Sequence, residues 1–234
     1  MGVRIRAVTF DAHDPRRAAS FWARVLEREV ADDRGGVLVR GSETQVSLQF
    51  VASRAEKVSK NRVHLHLTSA GQQDQEGTIA TAIGLGARRI DVGQRPEERH
   101  AVLADPDGNE FCVIEPGNAF LAGCGFLGEV ACDGTREVGL FWSRALGWPL
   151  VWDQHQETAI QSPHGGTKIS WGGEPPPDRL PEHRQRIDLV LDRADLHSEV
   201  ERLVRLGATP LDGADDAEAA LTDPDGNDFR VRAQ

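Results

Sequence analysis

The 234-residue chain contains no tyrosine, a single methionine and only three cysteines. Cys112, Cys124 and Cys132 are too few and too irregularly spaced for a disulfide framework or a Cys-x-x-Cys metal site, so reduced thiols and a cytoplasmic address are expected. No apolar run approaches the roughly 18 residues that a membrane helix requires. The opening MGVRIRAVTF lacks the apolar centre of a secretion signal. An excess of positive charge is missing as well: the formal charge is −10, which argues against nucleic acid as a partner. The basic residues are nearly all arginine and are scattered among acids, the pattern of a solvated surface. What is present, 39% hydrophobic and 27% charged residues, suits a globular protein with a core.

The chain repeats itself. Phe21-Trp22 returns as Phe141-Trp142, and Leu85-Gly86-Ala87 returns as Leu206-Gly207-Ala208. The strand-like VHLHL from Val63 returns as IDLVL from Ile187, and DPDGN at Asp105 returns at Asp223, each time followed by an acid and a phenylalanine. Four landmarks in the same order, spaced by 118 to 124 residues, divide the chain into units 1–118 and 119–234. The joint falls near Phe120, just past the turn-forming Pro116-Gly117-Asn118. A Pro-rich stretch at 174–181 lies inside the second unit and reads as a long loop.

Within unit one, Val8 and Phe10 alternate with Ala7, Thr9 and Asp11, the period of a strand with one buried face. Asp14-Pro15 opens a helix whose apolar stripe is Ala18, Phe21, Trp22, Val25 and Leu26. Strands are expected near 36–40, 45–51, 62–68, 88–92, 101–104 and 110–115, with a second helix over 75–85. The order is βαβββ, twice over in each unit. DPDGN has the chemistry of a tight turn, with proline presetting one residue and glycine taking positive φ.

A DPDGN turn closing a βαβββ module, after a helix carrying Phe and a second aromatic seven residues beyond an Asp, resembles the vicinal-oxygen-chelate superfamily of glyoxalases, bleomycin-resistance proteins and extradiol dioxygenases. The resemblance covers essentially the whole chain. It implies an α+β fold of tandem glyoxalase-like domains, each of two βαβββ modules, with curved mixed sheets and outer helices. It also implies a divalent metal on a concave sheet face, and at those ligand positions this sequence has Ala7, His64 and Cys112, with Ser47 or Gln49 as a fourth. In unit two the matching positions are Leu127 (or Glu129 if a loop is two residues shorter), Asp188 and Arg230. Alanine offers no ligand and arginine repels a cation. No metal or other cofactor is therefore expected, a divalent ion being conceivable in unit one alone. A salt-bridge cluster of Glu129, Asp188 and Arg230 is expected in its place in unit two.

Strand parity gives unit one a polar inner surface, with His64, His66, Glu110 and Cys112 as candidate acid, base or nucleophile and Thr9, Gln45, Ser47 and Gln49 as ligand contacts. Trp148, Trp152 and Trp171 either serve the core or form a stacking wall for a planar ligand, with the 174–181 loop as its cover. The expected function is metal-independent binding of a small molecule, of the drug-sequestering or sensing kind. The alternative is a metal-free isomerase, cyclase or lyase centred on His64. A small molecule is the expected partner, with no nucleic acid and no membrane, for a monomer or homodimer.

Overall fold

A computed structural model of the chain describes residues 2–95, 97–173, 184–191, 195–212 and 217–233. The Pro-rich loop at 174–181 therefore lies outside the described residues. Four modules follow one another. The first is β1 (Val3–Ala12), α1 (Pro15–Leu26), β2 (Val30–Asp33), β3 (Gly36–Val39) and β4 (Leu48–Ala52). The second is β5 (Val63–Leu67), α2 (Gln72–Gly84), β6 (Arg88–Arg89), β7 (Ala101–Ala104) and β8 (Glu110–Val113). The third is β9 (Leu127–Asp133), α3 (Arg136–Leu146), β10 (Leu150–Gln154), β11 (Glu157–Gln161) and β12 (Lys168–Gly172). The fourth is β13 (Gln185–Leu191), α4 (Leu196–Leu206), β14 (Thr209–Pro210), β15 (Glu218–Thr222) and β16 (Asp228–Arg232).

The strands form two mixed eight-stranded sheets, in the orders β14-β15-β16-β13-β1-β4-β3-β2 and β10-β11-β12-β9-β5-β8-β7-β6. The repeat is thus carried into structure, but the sheets do not follow the chain halves. The first sheet joins modules one and four, the second joins modules two and three, and each is centred on an antiparallel pair, β1 with β13 or β5 with β9. A strand's alternating pattern says which face is buried and nothing about which strand lies beside it, so this crossing is invisible in the sequence.

Each half is instead clasped by a helix and a turn. In α1, Asp14 accepts from the Arg17 amide at 3.0 Å and caps the helix, and Pro15 fits its first turn. Its buried Phe21 and Trp22 meet Phe111 of β8, with ring centroids 6.1 and 5.0 Å apart. Trp22 Nε1 donates to Asp105 at 3.0 Å, and the same carboxylate accepts from the amides of Asp107 and Asn109. The second half repeats this: Phe141 and Trp142 of α3 meet Phe229, and Trp142 Nε1 donates to Asp223 at 3.2 Å. Asp105 and Asp223 are almost fully buried, and burial pushes both carboxyls above their usual range. DPDGN is therefore more than a turn: its first aspartate anchors the preceding module's helix, while Gly108 (φ 87°) and Gly226 (φ 76°) take the backbone conformation that other side chains resist.

Candidate ligand cleft on the second sheet

Four strands of the second sheet lie side by side in the order β12, β9, β5, β8. Leu65 and Leu67 point into the core, which leaves His64 and His66 on the opposite, concave face. The register sets His66 between Cys112 of β8 and Glu129 of β9. A register shift sets His66 opposite Glu129 and Leu67 opposite Leu127, and the skipped residue, Gly128, passes so near the end of β5 that a Cβ there would lie 2.5 Å from Thr68 Cγ2. The first sheet carries the same irregularity between Ile5 and Ala7. Glu129 is therefore the counterpart of Ala7, His66 of Asp188 and Cys112 of Arg230. The register thus selects Glu129, the alternative to Leu127, as the counterpart of Ala7, and sets His66 rather than His64 opposite it.

His66 Nδ1 lies 2.7 Å from Glu129 Oε2, and the Ser170 hydroxyl donates to Glu129 Oε1. Burial alone would depress His66, but hydrogen bonds to Cys112 and Glu129 and the Glu129 charge override it and push His66 up to about 10. Burial would likewise raise Glu129, yet the His66 and Ser170 contacts hold it below its usual value. The pair is an imidazolium and a carboxylate at neutral pH. His64, one step along the same face, is lowered by burial against the opposing charge of Asp133, and so is neutral.

Beside this pair opens a cleft of about 400 Å³, bordered by His64, Glu129, Asp133, Trp152, Glu157 and Phe120. Phe120 and Trp152 meet edge to face, with centroids 5.8 Å apart. Lys168 Nζ sits 4.4 Å from the Phe120 ring centroid and donates to the Phe120 carbonyl, fixing the inter-unit joint as one wall. Phe120 looked like a boundary residue in sequence. Ser170 carries no sequence signal as a cleft residue, and Glu129 is expected in a unit-two cluster instead, because parity places both on an inner face without revealing that β9 adjoins β5 with β12 beyond it.

The remaining candidates are dispersed. Trp171 is 2% exposed and stacks on Trp142 at 6.3 Å, so its bulk belongs to the core and only its edge borders the cleft. Trp148 lines a different groove, together with Gln45 and Ser47. The three tryptophans thus do not form one wall. Gln45 bridges Arg28, the carbonyl of Cys124 and Thr167, and Ser47 accepts from the Gly41 amide. Glu110 is held by Lys57 and by the Asn61 amide, so it is engaged away from the His66 pair.

Thr9 and Gln49 belong to the other sheet. There Asp188, fully buried, accepts from Thr9 Oγ1 at 2.7 Å and from Arg186 Nε at 3.2 Å. Arg6 pairs with Asp33 and bonds Gln49, and Arg230 pairs with Glu218 at 2.7 Å. The expected cluster of Glu129, Asp188 and Arg230 therefore does not exist as such: Glu129 sits in the second sheet, and the first sheet fills its concave face with other ion pairs.

The ligand positions of the first sheet do not suit a divalent cation. Ala7, Gln49, Asp188 and Arg230 offer one carboxylate among guanidinium groups. In the second sheet, an ion held by His66 and Glu129 would have to displace the hydrogen bond that joins them and the one that Ser170 donates to Glu129. Among the described residues no three His, Cys, Asp or Glu side chains are arranged to hold a metal.

Two curved mixed sheets of paired βαβββ modules, each with a concave face bearing ligand-position residues, define a vicinal-oxygen-chelate protein. A model of the glyoxalase-like domain matches residues 7–114 and again 129–232, and the chain belongs to that family. The fold is shared with glyoxalase I from Zea mays at 14% identity and TM-score 0.66, over 99% of this chain and 92% of that one. It is shared too with a candidate dioxygenase from Bacillus subtilis at 13% identity and TM-score 0.59, over 98% and 84%. No curated protein sequence matches. No helix among the described residues is long and apolar enough to cross a membrane.

Proposed function

We propose that the chain binds a small organic molecule in the cleft of the second sheet, and does so without a divalent metal. The observation that carries this reading is the His66–Glu129 pair at the ligand position. Its imidazolium is too weak an acid to transfer a proton efficiently near neutral pH, and it is no base, so it serves as a fixed charge. The aromatic groups at the rim supply the apolar contact that a small-molecule site needs. A reducing compartment such as the cytoplasm suits its three free cysteines.

One observation favours the alternative, an acid-base enzyme. His64 is neutral, borders the cleft and lies beside Asp133, the state and place of a general base. The test is a titration of chelator-treated protein with naphthylmethanol, followed by tryptophan fluorescence. Saturable quenching that Trp152→Ala abolishes and that added Zn²⁺ or Mn²⁺ leaves unchanged is expected. Binding that appears only with metal would overturn the proposal. Turnover of a bound carbonyl compound that His64→Ala removes would favour the enzyme.

A further inference from the structure

Resting on that reading, we infer that the cleft of the second sheet selects an organic cation, an ammonium or amidinium carried on a flat apolar frame. The inference comes from the balance of charge around an aromatic cavity. Three carboxylates border it, those of Glu129, Asp133 and Glu157. Glu129 is neutralised by His66. Neither Asp133 nor Glu157 makes an ion pair among the described residues. Arg136, three residues along the chain, pairs with Asp153, and Arg62 donates to the Asp133 backbone carbonyl at 3.2 Å and not to its carboxylate. His64, the imidazole bordering the cleft, is neutral because burial lowers it, so it adds no opposing charge.

The walls suit the same ligand. An aromatic face attracts a cation through its quadrupole, most strongly where water is excluded. The Phe120 ring already holds one, with Lys168 Nζ 4.4 Å from its centroid. Trp152, edge-on to Phe120, is half-buried at the rim and offers the larger ring. A flat cation entering here meets Trp152 and directs its charge toward Asp133 and Glu157. An anion of the same shape meets two carboxylates that have no ion-pair partner among the described residues. The chain's net charge of −10 draws cations toward the protein as a whole.

The test compares three probes of one frame, naphthylmethylammonium, naphthylmethanol and naphthoate, by tryptophan fluorescence on the full chain at low salt. The cation is expected to bind about ten-fold more tightly than the alcohol, with the carboxylate weakest. In Asp133→Asn and in Glu157→Gln the ratio of cation to alcohol affinity is expected to fall toward one. Glu157 is exposed on β11, so its variant gives a reading even if Asp133→Asn misfolds. Equal affinity for cation and alcohol, or a ratio that survives both substitutions, overturns the charge inference while leaving the cleft a binding site. Failure of all three probes to bind overturns both.

Discussion

Raising the pH from about 6 to about 10.5 is expected to remove a charge pair that helps hold β5 to β9. His66 is raised above its unfolded value, so its contribution is complete below about 6.5 and is lost as the pH climbs through about 10. Glu129 is lowered, so its share is present above its unfolded value of 4.5 and is lost as the pH falls. A rise from 6.5 to about 10, at about 1.4 kcal/mol per pH unit, sets a ceiling near 5 kcal/mol. With 20% of the His66 side chain exposed, roughly 3 kcal/mol is the working figure, at the lower end for breaking a buried pair. For a chain of this size that corresponds to a fall in Tm of roughly 6–12 °C. Urea unfolding across the pH range, compared with a His66→Gln/Glu129→Gln double variant, measures it. The double variant lacks this slope and keeps every other titrating group. Identical pH dependence in the two proteins would refute the reasoning.

Asp105→Ala strands Trp22 Nε1 and the Asn109 amides in the interior and is expected to cost about 3 kcal/mol in urea unfolding, with Asp223→Ala alike because the second half repeats the clasp. In the first sheet, Asp188→Ala leaves Arg186 without its buried partner and is expected to cost about 3 kcal/mol, whereas Arg230→Ala, its guanidinium 41% exposed, costs under about 1 kcal/mol. A reversed order in the same assay would contradict the ion-pair account. Expressed alone, 1–118 and 119–234 each lose the central strand partner of both sheets, so neither is expected to be a stable monomer, while co-expression yields a one-to-one complex. Size-exclusion chromatography decides, and a monomeric, cooperatively unfolding half would contradict the crossed pairing.

How much of this was legible in the sequence can be judged residue by residue. The four landmarks gave the repeat, and alternation correctly separated Val8, Phe10, Leu65 and Leu67 from Ala7, Thr9, His64 and His66, because burial on one face imposes a period of two. Strand β2 went unseen, since VADD is a half-exposed edge with little apolar signal. The irregularities before Ala7 and at Gly128 are backbone events that leave no side-chain mark, and they moved the ligand-position histidine from His64 to His66. Most of the misplaced candidates trace to one cause. Thr9 and Gln49 were grouped with His64 because they lie in the same half of the chain, yet the sheet partner of β5 is β9, more than 60 residues away. That choice is made by packing of whole modules and not by any local preference.

The central claim, that a charged pair occupies the ligand position in place of a metal, is tested most directly by the ring nitrogens of His66. In a ¹H–¹⁵N spectrum optimised for histidine, recorded before and after one equivalent of Zn²⁺, both His66 nitrogens are expected to show imidazolium shifts at neutral pH. They are expected to stay in place when zinc is added. A neutral His66 near pH 7, or nitrogens that move with zinc, would contradict it.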